Sequence, residues 1–359
     1  MRTITVGTNE AGQRLDKLLA KYMDLAGKGF LYKMLRKKNI TLNGRRCDGS
    51  ERLAVGDEIR LFLSDDTIEK FTRERKQTTT EKSREHIKLD IIYEDEHILL
   101  INKPVGMLSQ KAKETDTSLV EYLTDYLLES GQLTREDLRS FRPSVCNRLD
   151  RNTSGLVAAG KTLPGLQGLS AVFRDRSLHK YYLCAVSGNV REKRRIEGYL
   201  SKNERSNQVT VYREAREGSL PICTEYEPLL YENGCTLLKV LLVTGRTHQI
   251  RAHLASIGHP IIGDPKYGTG TTSYEISRKQ IVTGEGKQGK QGRNSVRTQL
   301  LHSWQMVFPD MPGPLAGISG QSFFAPLPPG FARVFSAENL QEIMRSASKV
   351  VLKSAQKLR

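Results

Sequence analysis

Residues 64–88 read SDDTIEKFTRERKQTTTEKSREHIK, a polar, charged stretch with three consecutive threonines, Thr78 to Thr80. A run like this cannot bury enough apolar surface to offset the entropy lost on ordering it. It therefore divides the 359-residue chain. Residues 1–63 precede it, near the lower size limit for a unit with its own core, and residues 89–336 are long enough for a large one. The stretch 64–88 is predicted to be a flexible linker.

The small part carries two helical patterns. Leu15, Leu18, Leu19 and Tyr22 recur at i, i+3, i+4 and i+7 within 14–25, and Phe30, Leu31, Met34 and Leu35 repeat the spacing within 30–38. Ile40-Thr41-Leu42 then meets Asn43-Gly44, a hairpin-turn signal. After a turn at Gly56-Asp57, Ile59, Leu61 and Leu63 alternate as in a strand. Between Lys28 and Arg46 stand seven basic residues (Lys28, Lys33, Arg36, Lys37, Lys38, Arg45, Arg46) and no acidic one. A solvated face normally mixes signs, so this stripe reads as a footprint for a phosphate backbone.

The whole chain agrees with that sign. Fifty-six Lys+Arg against forty Asp+Glu leave +16, which points to a polyanionic partner, nucleic acid before membrane. No apolar run approaches the ~18 residues a membrane span needs, so no membrane association is expected. The start, MRTITVGTNE, has no apolar signal region. Five cysteines (Cys47, Cys146, Cys184, Cys223, Cys235) stand singly, which fits free thiols in a reducing compartment. A cytoplasmic protein is expected.

In the large part, Leu89 to Tyr93 alternates and Ile98-Leu99-Leu100-Ile101 runs into a turn at Asn102-Lys103-Pro104-Val105-Gly106. An amphipathic helix is predicted over Ser118–Leu128, with further helices at 163–174, 248–257 and 337–352. Strands are predicted at Leu156–Ala159, Tyr181–Val186, Val209–Tyr212, Cys223–Leu230 and Thr236–Val243. Irregular segments separate them, so the fold class is α+β with a mixed, mostly antiparallel sheet flanked by helices. Residues 269–299 read as a glycine-rich basic insertion, with Gly284, Gly286, Gly289, Gly292, Lys287, Lys290, Arg293 and Arg297. Residues 337–359 read as a basic helical tail on the surface.

Three stretches carry candidate chemistry. In VCNRLDRNTSGLVAAG, two apolar runs flank Arg148-Leu149-Asp150-Arg151. Alternate residues of an extended chain share a face, so Arg148 and Asp150 project together and Leu149 points inward. A salt-bridged loop would read the same way. In VTGRTHQIRAHL, a strand ends at Gly245 and a helix begins near Thr247. His248, His253 and His259 do not form a metal set, because i,i+5 spacing splays the first two and no carboxylate partner follows the HExxH pattern. In HKYYLCAVSG, Tyr181 and Tyr182 point to opposite faces of a strand, so one of them at most lines a site on the Asp150 side.

The order RLDRNTSG, KYYLCAVSG, TGRTHQIRAHLASIGHPIIGDPKYG, with INKPVGML upstream and LLHSWQMVF near the end, resembles the RluA-type family of pseudouridine synthases, with a lean toward its RluC-like branch. The first part, RLDKLLAKYM to GDEIRL, resembles the small RNA-binding domain named for ribosomal small-subunit protein four. The resemblance covers nearly the whole chain apart from the linker, the insertion and the tail. It implies an isomerase that cuts a uracil from its ribose in RNA, rotates it and rejoins it through ring carbon five, with no cofactor. The implied partner is RNA, ribosomal RNA or a ribosomal precursor particle, and the implied enzyme acts as a monomer.

The resemblance also implies roles. Asp150 is the nucleophile, acting on ribose or base or assisting glycal formation. Such a carboxylate must stay ionised in a dry pocket and so needs a cation. Arg251 matches the family's pairing arginine, and Arg246 is its rival. Tyr182 is selected over Tyr181 because the family's tyrosine sits two residues after a lysine; it stacks on the base and takes part in removing the carbon-five proton. Arg148 serves the extruded uridine, because a stacked base cannot reach a pocket until it is flipped. Further RNA contacts fall to Arg151, Lys180, Arg246 and His248, and on the small part to Lys33, Arg36, Lys37, Lys38, Arg45 and Arg46. Two positions depart from the family pattern: Asn147, where histidine is usual, and Cys184, where alanine is usual. A non-catalytic assembly factor on this fold would have no need of Asp150, Tyr182 and Arg251 together, and a transfer-RNA substrate would change only the RNA.

Overall fold

The computed structural model describes residues 1–72, 87–268, 274–275, 295–296 and 298–346. The first part pairs four antiparallel strands in the order β1 (Arg2–Thr5), β4 (Glu58–Leu61), β2 (Ile40–Leu42), β3 (Arg45–Arg46). Helices α1 (Leu15–Tyr22) and α2 (Lys28–Arg36) cover the sheet. Leu15, Leu18, Leu19 and Tyr22 are buried, as their spacing requires, against Leu35, Ile40, Ile59 and Leu61. Asn43 and Gly44 both take positive φ, the pattern of a two-residue hairpin turn matched to strand twist.

The predicted linker is corrected at its start. Residues Asp65–Lys70 form helix α3, whose amino end is capped by Ser64 accepting from the Thr67 N–H at 3.3 Å. Ile68 is fully buried, and the Phe71 ring packs on Phe30 with centroids 4.2 Å apart. A Ser-Asp-Asp cap with two apolar residues three apart is enough to dock one helical turn, although the average composition hides it. Residues 73–86, the rest of the predicted linker apart from its last two residues, lie outside the described residues.

The large part introduces β5 (Ile91–Glu94), β6 (Ile98–Lys103), α4 (Leu119–Glu129), α5 (Asp137–Ser140), β7 (Ser144–Val145), β8 (Ser154–Gly160), α6 (Leu163–Arg174), β9 (His179–Ser187), β10 (Arg194–Asn203), β11 (Gln208–Tyr212), β12 (Leu220–Glu232), β13 (Cys235–Leu242), α7 (Gln249–Ser256), β14 (Tyr274–Glu275), β15 (Ser295–Val296), β16 (Leu301–Val307) and β17 (Ser322–Phe324). One large sheet runs β11-β10-β12-β13-β9-β16-β8-β6-β5, with β17 beside β16 and β7 beside β8. Its pairs are antiparallel except β16 with β8. The fold is thus a mixed α/β arrangement around a mostly antiparallel sheet. β14 and β15 pair with each other, and most of the predicted insertion lies outside the described residues.

Both faces of the sheet are covered, which explains the unbroken apolar runs. Leu99 and Ile101 pack with Val157 and Ala159 under α4 and α7, while Ile98 and Leu100 pack with Leu156 and Ala158 under α6. Residues 337–346 are helical, and Leu340, Ile343 and Met344 pack on the core around Leu183, Ala185 and Trp304. The predicted surface tail therefore begins as part of the core; residues 347–359 lie outside the described residues.

The small part rests on the large one through polar contacts. Tyr22 donates to Glu136 at 3.0 Å, Ser140 donates to Glu10, and the Leu163 N–H donates to Asn9 at 3.1 Å.

Two buried histidines tie the sheet to its surroundings. His302 joins Ser154 across the parallel pair at 2.9 Å, and His253 joins Thr224 at 3.0 Å. Burial pushes both down to about 4, whereas an unfolded histidine titrates near 6.5. The unfolded chain therefore binds more protons between those values, and stability present above pH 6.5 is lost as pH falls toward 4. Urea unfolding across this window should show that loss, and His302→Asn should reduce its pH slope by about one proton. An unchanged slope would show that His302 is protonated in the fold.

Candidate active site

The Asp150 loop is pinned from both ends. Ahead of it, Asn147 continues the edge of β8 with its side chain: it accepts from Ala158 N–H at 2.8 Å and donates to the Leu156 carbonyl at 3.3 Å. That departure from the family pattern is occupied with backbone. Leu149 is buried, and Ser109 Oγ both donates to its carbonyl and accepts from its N–H, at 3.0 and 2.9 Å. Behind the loop, Gln299 donates to Thr153 at 3.0 Å. Gly155 has φ +107°, and a Cβ there would stand 2.1 Å from the Ser303 carbonyl oxygen, so only glycine fits between β8 and β16.

Lys103 fastens the loop from below. At the end of β6 it is fully buried, and its ammonium donates to the carbonyls of Pro104, Met107 and Arg151 at 3.0, 2.8 and 3.2 Å. The Gly106 N–H also donates to the Arg151 carbonyl, and Arg151 Nε returns a bond to the Gly106 carbonyl. Burial pushes Lys103 down to about 7, with the nearby charge of Asp150 pulling the other way. Sequence reasoning passed over this lysine. Alternation along β6 puts it on the face of Leu99 and Ile101, which was a legible signal.

Arg251 reaches the loop from α7. Gln249 fastens the start of that helix: it accepts from Thr244 Oγ1 and the Arg246 N–H, and donates to the Cys223 carbonyl and Thr224. Two residues on, Arg251 donates from Nη1 to Asp150 Oδ2 at 2.7 Å. Its Nε and Nη2 grip Asp264 at 2.7 and 2.9 Å. The Asp264 side chain is fully buried and that of Arg251 is 5% exposed, while Asp150 keeps 27% open toward solvent. Burial alone would lower the arginine, but the two carboxylates outweigh it and raise it. Asp264 is likewise held below the usual carboxylate range by Arg251 despite burial. Arg246, the rival, makes no ion pair among the described residues, and its buried Nε has no partner.

His248, in the left-handed conformation just before α7, bonds Tyr267 through Nδ1 at 2.9 Å and holds Nε2 3.8 Å from Asp150. Burial lowers its pKa, so it is neutral near pH 7. Tyr267 also accepts from the Val209 N–H and lies beneath the Arg251 guanidinium at 5.3 Å. Asp264 and Tyr267 fall in GDPKYG, a stretch whose side chains gain meaning only once α7 is placed. His253 and His259 point elsewhere, to Thr224 and the Ser187 carbonyl.

Tyr182 lies on the Asp150 face with Cys184, Leu149 and Ile250. Tyr181 takes the opposite face, where Lys239 sits 4.7 Å over its ring. Burial, with Asp150's charge adding to it, pushes Tyr182 up to about 12, so it keeps its proton at neutral pH. Two residues earlier Lys180 is buried near the open Gly245, 5.6 Å from the Phe173 ring. Arg148 and Arg151 face solvent. On the small part Lys33, Arg36, Lys37, Lys38, Arg45 and Arg46 are all exposed. A cleft of about 420 Å³ there is lined by Arg14, Tyr32, Leu35, Arg36, Arg46 and Cys47 among others.

The chain is 30% identical over 293 residues to ribosomal large subunit pseudouridine synthase C of Escherichia coli K12, covering 80% of this chain and 84% of that one. It belongs to the RluA-type family of RNA pseudouridine synthases. Residues 97–256 match the family described as RNA pseudouridylate synthase. The synthase C of Vibrio cholerae is 32% identical over 275 residues (74% of this chain, 80% of that one), and synthase D of Nitrosomonas europaea is 28% identical over 308 (84% and 79%). The fold matches that of human RNA pseudouridylate synthase domain containing 4, with TM-score 0.51, 19% identity, and coverage of 70% of this chain and 92% of that one. The family's activity, isomerisation of uridine in RNA, makes the enzyme an isomerase.

Removing Lys103 tests the clamp. Lys103→Met leaves the buried Met107 carbonyl without this donor, at a cost of about 1–3 kcal/mol, while the Arg151 carbonyl keeps the Gly106 N–H. Urea unfolding should show a loss of about 1–3 kcal/mol, with uridine conversion reduced. Wild-type stability would show that water replaces the ammonium.

Proposed function

We propose that this enzyme converts uridine to pseudouridine in large-subunit ribosomal RNA, with Asp150 as nucleophile on a flipped-out base. The observation that carries the reading is the 2.7 Å pair between Arg251 and Asp150. A carboxylate in a closing pocket stays ionised only beside a cation, and the exposed quarter of Asp150 is the part a substrate can reach. Tyr182, on the same face and protonated, supplies a ring against which uracil can stack and a hydroxyl for the proton leaving carbon five. No cofactor enters this chemistry. Arg148, pointing outward beside Asp150, takes the space of the extruded base or contacts its flanking backbone.

The relatives, whose names specify the large ribosomal subunit, support this substrate class. The basic stripe supports a polyanion. None of its seven cations forms an ion pair among the described residues, whereas exposed arginines elsewhere do, such as Arg194 with Glu192 and Arg195 with Glu197. Cations left without counter-charge gain most when they displace the counterions of a phosphate backbone. Residues 1–72 act in this reading as a small RNA-binding domain, with Lys33, Arg36, Lys37, Lys38, Arg45 and Arg46 on phosphates. Lys180, Arg246, Arg151 and His248 contact RNA at the mouth of the site. The enzyme works as a monomer in the cytoplasm on ribosomal RNA or its precursor particle.

RNA carrying tritium at uracil carbon five should release it with wild type and not with Asp150→Asn; equal release would end the nucleophile assignment. Mapping pseudouridines in a deletion strain should show losses confined to large-subunit RNA, and losses in transfer RNA instead would move the substrate. The pair Arg36→Glu and Arg46→Glu should weaken RNA binding and flatten its salt dependence by about one unit of slope per lost phosphate contact. An unchanged slope would remove the stripe from the interface.

A further inference from the structure

Arg251 divides its donors unequally. Two nitrogens serve Asp264, which is completely buried, and one serves Asp150, which is partly open. If Arg251 existed only to keep Asp150 charged, a second, more tightly held carboxylate would work against it by competing for the same cation. The competition has a use once the reaction starts.

In each route open to Asp150 its negative charge is consumed. Attack on the ribose forms an Oδ–C1′ ester bond while the C1′–N1 bond breaks and its electron pair leaves on uracil. Attack on the base forms an Oδ–C6 bond while the C5=C6 electrons move onto the ring. Assistance in glycal formation takes the C2′ proton onto Oδ as the C1′–N1 electron pair leaves on uracil. At that moment an arginine paired with Asp150 alone would be a buried cation without a partner, which is strongly unfavourable. We infer that Asp264 is a positioning residue that holds the Arg251 charge when Asp150 has lost its own, so that the guanidinium neither swings away nor follows the nucleophile into the substrate.

The surroundings support this. Asp264 Oδ1 also accepts from the N–H groups of Lys266 and Tyr267, at 2.8 and 3.2 Å, so the carboxylate is fixed by its own turn. The Tyr267 ring underlies the guanidinium. Asp150, by contrast, offers Arg251 one oxygen and keeps the other for substrate. The inference rests on the reading of Asp150 as the reacting carboxylate.

Its test separates the two. Asp150→Asn imitates the spent nucleophile: similar shape, no charge. Asp264→Asn keeps an oxygen for the turn N–H groups, removes the charge, and puts an amide NH2 where the second oxygen accepts from Arg251 Nε. Each single variant leaves Arg251 one carboxylate and should lower the thermal midpoint of the full-length protein by a few degrees. The double variant leaves none and should lose about 5 °C or more beyond the sum of the singles. Additive shifts would overturn the inference, as would failure of Asp264→Asn alone to fold, which would make Asp264 a structural keystone in every state. In single-turnover conversion, Asp264→Asn should be slower on the order of 10- to 100-fold with RNA affinity within about twofold, and Asp264→Glu should recover part of the rate. Wild-type conversion by Asp264→Asn would also overturn it. An error in the nucleophile assignment would appear in tritium release by Asp150→Asn and would leave the unfolding cycle untouched.

Discussion

A guanidinium held between two carboxylates is the constraint around which the large domain is arranged. Asp150 and Arg251 meet at 2.7 Å across 101 positions of sequence, and Asp264 adds the other side of the fork. Bringing such groups together in a largely buried site is favourable because Arg251 keeps an anionic partner there, and removing both carboxylates would strand a buried charge. Hence the number of unrelated contacts spent on their backbones. Gln249 fastens α7 to β12, Lys103 and Ser109 fasten the Asp150 loop to the turn after β6, and Gly155 lets β8 pass close against β16.

The sheet supplies the stiffness those contacts need. Along β6 and β8, covered on both faces, alternate residues belong to different cores, and a one-residue slip would exchange them. Tyr182 and Tyr181 make the consequence concrete. The first joins the face that carries Leu149 and Ile250, the second joins Lys239 on the far side. The parallel contact of β16 with β8, tied by His302 and Ser154, fixes where the loop after Leu149 re-enters the core.

How much of this was legible in the sequence depends on how local its cause is. The helices predicted at 163–174 and 248–257, the second present as Gln249–Ser256, the Asn43-Gly44 turn and the long apolar strands follow from spacing within a few residues. β10 was missed because Arg194 to Asn203 shows only Ile196, Gly198 and Leu200 on its inner side, and glycine reads as a breaker. It is there because the Tyr212 carbonyl passes 2.8 Å from where a Cβ would stand. The choice between Arg246 and Arg251 rested on family resemblance. Nothing local says that Gln249 will hold the Thr244–Arg246 turn so that Arg251, two residues on, and not Arg246, three residues back, faces Asp150. Asp264 was invisible for the same reason: a lone aspartate before proline acquires its role only when a helix thirteen residues upstream lies over it.

Charge is handled in opposite ways inside and outside the molecule, and one physical rule accounts for both. Within the site Arg251 has two anionic partners and Lys103 has three carbonyls, because a buried cation must be satisfied by the protein itself. Along α2 and the β2–β3 hairpin the cations remain exposed and, among the described residues, without ion pairs, because water satisfies them at little cost until a polyanion replaces it. An enzyme acting on RNA needs both conditions at once. An Arg251 without its carboxylates would be a buried charge that no solvent satisfies, and cations paired along the stripe would have little left to offer a phosphate backbone. The proposed separation, catalysis at a neutralised centre and attraction at an unneutralised surface, is therefore what the charge distribution of this chain allows.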